Sequence, residues 1–171
     1  MHLLSKEEIE EEFEKGTELL FRLTGEKPRG FRAPEGEVTE DVFEAAKKYG
    51  YVYSSSLYDR DMPYERNGLL EIPMNWNLHD FPYFAFNYGP AFPTGQGRVS
   101  SYHRVEENYI AEMDAYLQYG LTYVAQFTPQ SIGSPGKIQI MEHIMEHMEK
   151  HRDRMRILTC AQLEAEQHIL I

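Results

Sequence analysis

Apolar and polar positions alternate along this chain with two periods, and the first stretch is helical. Ser5-Lys6-Glu7-Glu8 has the form of a capping box, in which a hydroxyl and a carboxylate satisfy orphan backbone donors at a helix start. Leu4 and Ile9 stand where a hydrophobic staple would close it. Ile9, Phe13, Leu19, Leu20 and Leu23 follow at roughly helical spacing, predicting a helix to about Leu23 that Thr24-Gly25 ends. Glu10, Glu11, Glu12 and Glu14 fill its other faces and read as a solvated surface rather than an interaction tail.

Shorter apolar runs come next. Gly30-Phe31-Arg32 reads as a strand end before the loop Ala33-Pro34-Glu35-Gly36, and Thr39 can cap a helix running through Val42, Ala45, Ala46 and Tyr49 to Gly50. Strands are expected in 51–56 and 69–73, then a long aromatic loop over 74–101 carrying Trp76, Phe81, Tyr83, Phe84, Phe86, Tyr88 and Phe92. A helix over 104–119 should turn Tyr109, Ile110, Met113, Tyr116 and Leu117 inward and stop at Gly120. A buried strand over 121–127, a helix over 137–151, a strand at 155–158 and a helix opened by Thr159-Cys160-Ala161-Gln162 complete the chain. Strands separated by helices imply α/β architecture with a mainly parallel sheet, and the length suits a single domain over 1–171.

Composition narrows the classes of function. Hydrophobic residues at 42% and charged residues at 26% are ordinary globular values, which excludes disorder. Lys and Arg total 17 against 28 Asp and Glu, and the net charge of -11 repels phosphate backbones and anionic membrane surfaces. Nucleic acid and membrane are therefore poor partners. The single cysteine, Cys160, excludes an intrachain disulfide, and residues 1–12 lack the features of a secretion signal, so a cytoplasmic setting is expected. No apolar run approaches the roughly 18 to 20 residues that cross a bilayer.

In β/α architectures reacting groups sit on loops leaving the C-terminal ends of strands, here the loops after Arg32, Pro73 and Phe127. Arg32 beside the rigid Pro34 can orient a carboxylate through a two-point hydrogen bond, although spacing alone favours a surface arginine in a turn. Trp76 can wall a sugar ring or acyl group, or simply belong to the core. His143 and His147, with Glu146 between them, have the spacing of a shared metal on one helix face, and His151 extends the stripe. With no third ligand evident, the stripe reads more simply as the histidine-rich edge of an amphipathic helix.

Gly30-Phe31-Arg32-Ala33-Pro34, the following helix, and Tyr53-Ser54-Ser55-Ser56 together resemble the Arg-x-Pro segment and β-α-β unit of the polysaccharide deacetylase (NodB-like) family. Glu71 to Asp80, EIPMNWNLHD, is similar to the corresponding stretch of its cytoplasmic peptidoglycan-deacetylase-like and allantoinase-like branch. Phe127-Thr128-Pro129 falls where the family carries an aliphatic residue, His and Pro, and Leu4 to Ile9 resembles the helix after its metal-binding histidine pair. The resemblance implies a partial or distorted (β/α) barrel with Arg32, Trp76 and Thr128 on one rim. It also implies hydrolysis of a non-peptide C–N bond, in an N-acetyl amino sugar or a cyclic amide, by a divalent metal, commonly zinc, held by an Asp and two His. Arg32, Pro34 and Thr128 then occupy catalytic positions, and Trp76, His79 and Asp80 substrate-binding ones. The sequence departs from the pattern: no Asp-Asp strand or His-x-x-x-His loop precedes Ser5, His2 only approaches a ligand position, Thr128 stands where a proton-donating His is expected, and Glu35 replaces an aromatic or small residue. No metal ligand is assigned. The isolated chain is expected to be inactive; the alternative is a non-catalytic descendant or fragment serving ligand binding or homo-oligomer assembly.

Overall fold

The computed structural model describes residues 3–84 and 100–167. In chain order its main elements are α1 (Lys6–Thr24), β1 (Gly30–Phe31), α2 (Glu40–Lys48), β2 (Tyr53–Ser54), β3 (Tyr64–Arg66), β4 (Leu69–Glu71), α3 (Phe81–Phe84), α4 (Tyr102–Tyr119), α5 (Pro129–Ile132), α6 (Ile138–Lys150) and α7 (Cys160–Gln167). They group into two compact units, one running to Met74 and resuming at Ile157, the other spanning Asn75–Arg156.

In the first unit the capping box forms: Ser5 N donates to Glu8 Oε2 at 2.7 Å and Glu8 N to Ser5 Oγ at 3.2 Å. α1 buries Ile9, Phe13 and Thr17, whereas Leu19, Leu20 and Leu23 are exposed. The expected apolar stripe therefore breaks after Phe13, because the position one turn further on is Thr17, whose hydroxyl shares a 3.3 Å hydrogen bond with the Tyr51 hydroxyl. Gly25, left-handed at φ 79°, ends the helix. Phe13, Phe31 and Tyr51 meet edge to face with ring centroids 5.2 to 5.9 Å apart, packed with Ile9, Val42, Phe43, Ala46 and Leu69.

The sheet has the order β1-β2-β4-β3, with β1, β2 and β4 parallel and β3 antiparallel at the edge. The mainly parallel α/β sheet expected from the sequence is present in these strands. β3 was not expected; it is the outer arm of a hairpin turned by Asn67 and Gly68, both left-handed at φ 52° and 79°. The segment 155–158 lies outside the sheet. After it Thr159 caps α7, with Gln162 N donating to its hydroxyl at 3.2 Å and Thr159 N donating to Gln162 Oε1 at 2.8 Å. α7 buries Glu164, which pairs with Arg29 at the approach to β1.

The second unit is built on α4 and α6. Val105, Tyr109, Met113 and Tyr116 form the buried face of α4, and Ile140 and Ile144 that of α6, with Leu78 and Ile132 completing the core. The expected strand over 121–127 does not form as a strand. Its residues are half-buried and make one parallel bridge, Gln126 to His79, because no neighbouring ladder continues beside it among the described residues. Of the expected aromatic loop, Trp76 enters a short 3-10 turn and Phe81 opens α3; Phe86, Tyr88 and Phe92 lie outside the described residues.

Candidate functional site

Parallel pairing of Phe31 with Ser54 makes Arg32 and Ser55 the next facing positions, just beyond the end of the ladder. There Arg32 Nε donates to Ser55 O at 2.7 Å and Nη2 to Ser55 Oγ at 2.6 Å, so β2 fixes the guanidinium by a two-point bond. Ala33 N donates to Ser56 Oγ at 2.9 Å, and Pro34 opens a 3-10 turn in which Glu35 takes the left-handed region at φ 58°. Arg32 and Pro34 thus line one cleft with Phe13, Phe31 and Tyr51. Burial lowers the Arg32 guanidinium from its ordinary value, with the Cys160 thiol and the Glu71 carboxylate working against that shift.

In the sequence Glu71 has a place at a strand end and at the start of the stretch that resembles the family, but no role in a site, yet it organises this rim. It ends β4 opposite Ser54, is fully buried, and its Oε1 accepts Ser56 N at 2.6 Å and Leu57 N at 2.8 Å. Oε2 is buried beside the Ser54 hydroxyl, which also lies 2.9 Å from Ser56 Oγ. Burial pushes the Glu71 carboxyl up, and the N–H groups of Leu57 and Ser56, the Ser54 hydroxyl and the Arg32 charge pull it part of the way back. A carboxylate inside Leu69-Leu70-Glu71-Ile72 was the available signal, because an acid in an apolar parallel strand needs dedicated partners.

The second unit gathers Trp76, His79, Asp80 and Thr128. Asp80 is fully buried; its Oδ1 accepts Thr128 N at 2.9 Å, and its own N–H donates to Gln126 O at 3.2 Å. Asp80 Oδ2 and the Tyr109 hydroxyl are both buried without hydrogen-bond partners among the described residues. Burial first, then the Asp80 charge, raises the Tyr109 hydroxyl far above its usual range. Asp80 therefore anchors the Thr128 segment from beneath the surface. Trp76, His79 and Phe81 form a row with ring centroids 6.1 and 6.3 Å apart, and Trp76 and Phe81 are 46% and 52% exposed, leaving apolar ring surface open to a ligand. Asn77, next to Trp76, shares an open groove with Tyr83, Asn108 and Glu112. Gln126 Nε2 lies 3.0 Å from His79 Nε2.

A divalent metal of the kind the resemblance implies does not fit the Arg32 rim. Among the described residues its donors are serine hydroxyls already bonded to one another, to Glu71 or to Arg32, and a single carboxylate, Glu71, that holds two N–H groups and the Ser54 hydroxyl beside a guanidinium cation. Among the described residues, three ligand-bearing side chains converge at Asp114, His147 and His151, in the second unit.

Comparison with known proteins adds two positive findings. Residues 1–54 match the sequence family described as polysaccharide deacetylase. The fold is similar to the crystal structure of a protein from Mycobacterium smegmatis assigned as a polysaccharide deacetylase, with a TM-score of 0.84 and 26% identity. That likeness covers 95% of this chain and 57% of the other, so the chain spans little more than half the length of the protein it resembles. No curated protein matches it. No helix among the described residues is long and apolar enough to cross a membrane.

Proposed function

We propose that this chain, which belongs with the NodB-like polysaccharide deacetylases, is a deacetylase-like hydrolase domain over 1–171 directed at an N-acetyl amino sugar or a cyclic amide, and that the isolated chain does not turn over. The observation that carries the reading is Arg32, fixed by Ser55 at the C-terminal end of a parallel strand, in the Arg-x-Pro segment inside the matched residues. In that position the guanidinium orients a carboxylate or a polarised carbonyl at the cleft and supplies no proton, because arginine stays charged. Thr128 donates its backbone N–H to Asp80 and has no side-chain proton to deliver near neutral pH. The exposed Trp76 row and the amide-lined groove beside it suit the apolar face and hydroxyls of a carbohydrate. A cytoplasmic setting agrees with the single Cys160.

The decisive assay supplies zinc or cobalt to purified protein with N-acetylated oligosaccharides or small cyclic ureides, and repeats it for Arg32→Ala. No metal-dependent turnover above background is expected. Turnover lost on adding a chelator and on removing Arg32 would show that the chain is a complete enzyme.

A second reading, a non-catalytic descendant acting through homo-oligomer contacts, is favoured by the exposed Leu19, Leu20, Phe21 and Leu23 at the end of α1. Sedimentation equilibrium separates the two: a dimer that Leu20→Glu and Leu23→Glu convert to monomer supports assembly, and a monomer at all concentrations removes it.

A further inference from the structure

We propose that Asp114 of α4 and His147 and His151 of α6 form a binding site for a divalent transition metal of the zinc class. The ligand atoms these residues offer all lie within 4.8 Å of one another. Two imidazole nitrogens and one carboxylate oxygen are a donor set that suits zinc, leaving a fourth position for water or substrate. Around a tetrahedral ion with ligands about 2.0–2.1 Å away, donor atoms stand roughly 3.3 Å apart, so the cluster is close to that size before any ion enters.

The fold, and not the surface alone, sets this spacing. Met113, next to Asp114, is buried in the α4 face, and Ile140 and Ile144 bury the α6 face, so helix packing brings Asp114 beside the histidine edge. His147 Nε2 already lies 2.7 Å from Asp114 Oδ1, and the His147 and His151 rings stand 4.7 Å apart between centroids. His147 is only 18% exposed while Asp114 is 54% exposed, so the site is anchored on one side and open to entering ions on the other.

The pairing differs from the one the sequence motif suggests. His143, nominally the partner of His147, is turned to Glu106, with Nδ1 2.8 Å from Oε2, and Glu146 is exposed. The third ligand missing from the sequence pattern comes from another helix, 33 residues away from His147. Sequence spacing could not reveal it.

Zinc chloride titrated into the metal-free full chain by calorimetry tests the site. One zinc per chain is expected. Since loss of even an outer-shell partner costs about 10- to 100-fold in affinity, His147→Ala, His151→Ala and Asp114→Asn should each weaken binding at least tenfold. His143→Ala should leave affinity within about twofold, because its imidazole is turned to Glu106 and is not among the three converging ligands. Circular dichroism checks that each variant is folded, and cobalt absorption gives a second readout that reports tetrahedral coordination directly. Absence of binding at millimolar zinc, or binding that none of the three variants weakens, would overturn the proposal.

Discussion

Glu71 holds Ser56 through a buried 2.6 Å hydrogen bond, and through it the segment that fixes Arg32. Removing the carboxylate and replacing it should have opposite effects. Glu71→Ala leaves the N–H groups of Ser56 and Leu57 without their acceptor and should cost roughly 1–3 kcal/mol for each group left buried and unpaired. Glu71→Gln keeps an acceptor oxygen and removes a buried charge. Because burial raises the folded-state carboxyl above the ordinary 4.5, the folded protein holds its proton more tightly than the unfolded chain does. This contribution to stability is fully present below pH 4.5 and is lost as pH rises through the folded value. Urea unfolding across that window should show wild-type stability falling with pH and a flatter profile for Glu71→Gln. Parallel profiles for the two proteins would contradict the assignment.

Gly30 lies against the Tyr53 ring so closely that a Cβ would stand 1.9 Å from Cε2. Gly30→Ala must displace that ring or separate β1 from β2, and overpacking of this kind typically costs about 1–3 kcal/mol. The loss should be visible as a lowered urea midpoint and should shrink in a Tyr53→Ser background, where the obstructing atoms are gone. An undiminished loss there would place the strain in the backbone instead.

Trp76 offers a prediction about binding rather than stability. Its ring is half exposed, so Trp76→Ala should change stability by no more than about 0.5 kcal/mol, as surface substitutions do. If the aromatic row receives a sugar ring, the same change should weaken binding of an N-acetylated oligosaccharide by at least tenfold in tryptophan-independent calorimetry. Unchanged affinity would remove Trp76 from the proposed substrate site.

The parts of this fold legible in the sequence are those governed by local chemistry. Ser5 with Glu8, and Thr159 with Gln162, announced both capping boxes, and the β1-α2-β2 unit followed from Gly30 through Gly50. Leu19 and Leu23 share the helical spacing of Ile9 and Phe13 yet are exposed, because helical periodicity identifies an apolar face but not where the partner surface ends. Residues 121–127 look like a strand because they are apolar and β-prone, but a strand also needs a ladder, which no local pattern specifies. The hairpin signal Asn67-Gly68 is equally local, and it marks a turn between β3 and β4 that the expected strands do not include. For the site, Arg32 was legible from its motif, whereas the bonds of Glu71 and the approach of Asp114 to His147 depend on residues distant in the chain.

The first unit is discontinuous in the chain: α7, with Glu164 against Arg29, returns to it after the whole of the second unit. During vectorial synthesis β1, β2 and β4 leave the ribosome before the second unit and lack the helix that pairs with Arg29 until α7 emerges. The early sheet must therefore wait, with the surface that α7 will cover still wet, while Asn75–Arg156 is made. A nascent chain arrested within that stretch should expose β1 and β2 to proteases that the finished protein resists.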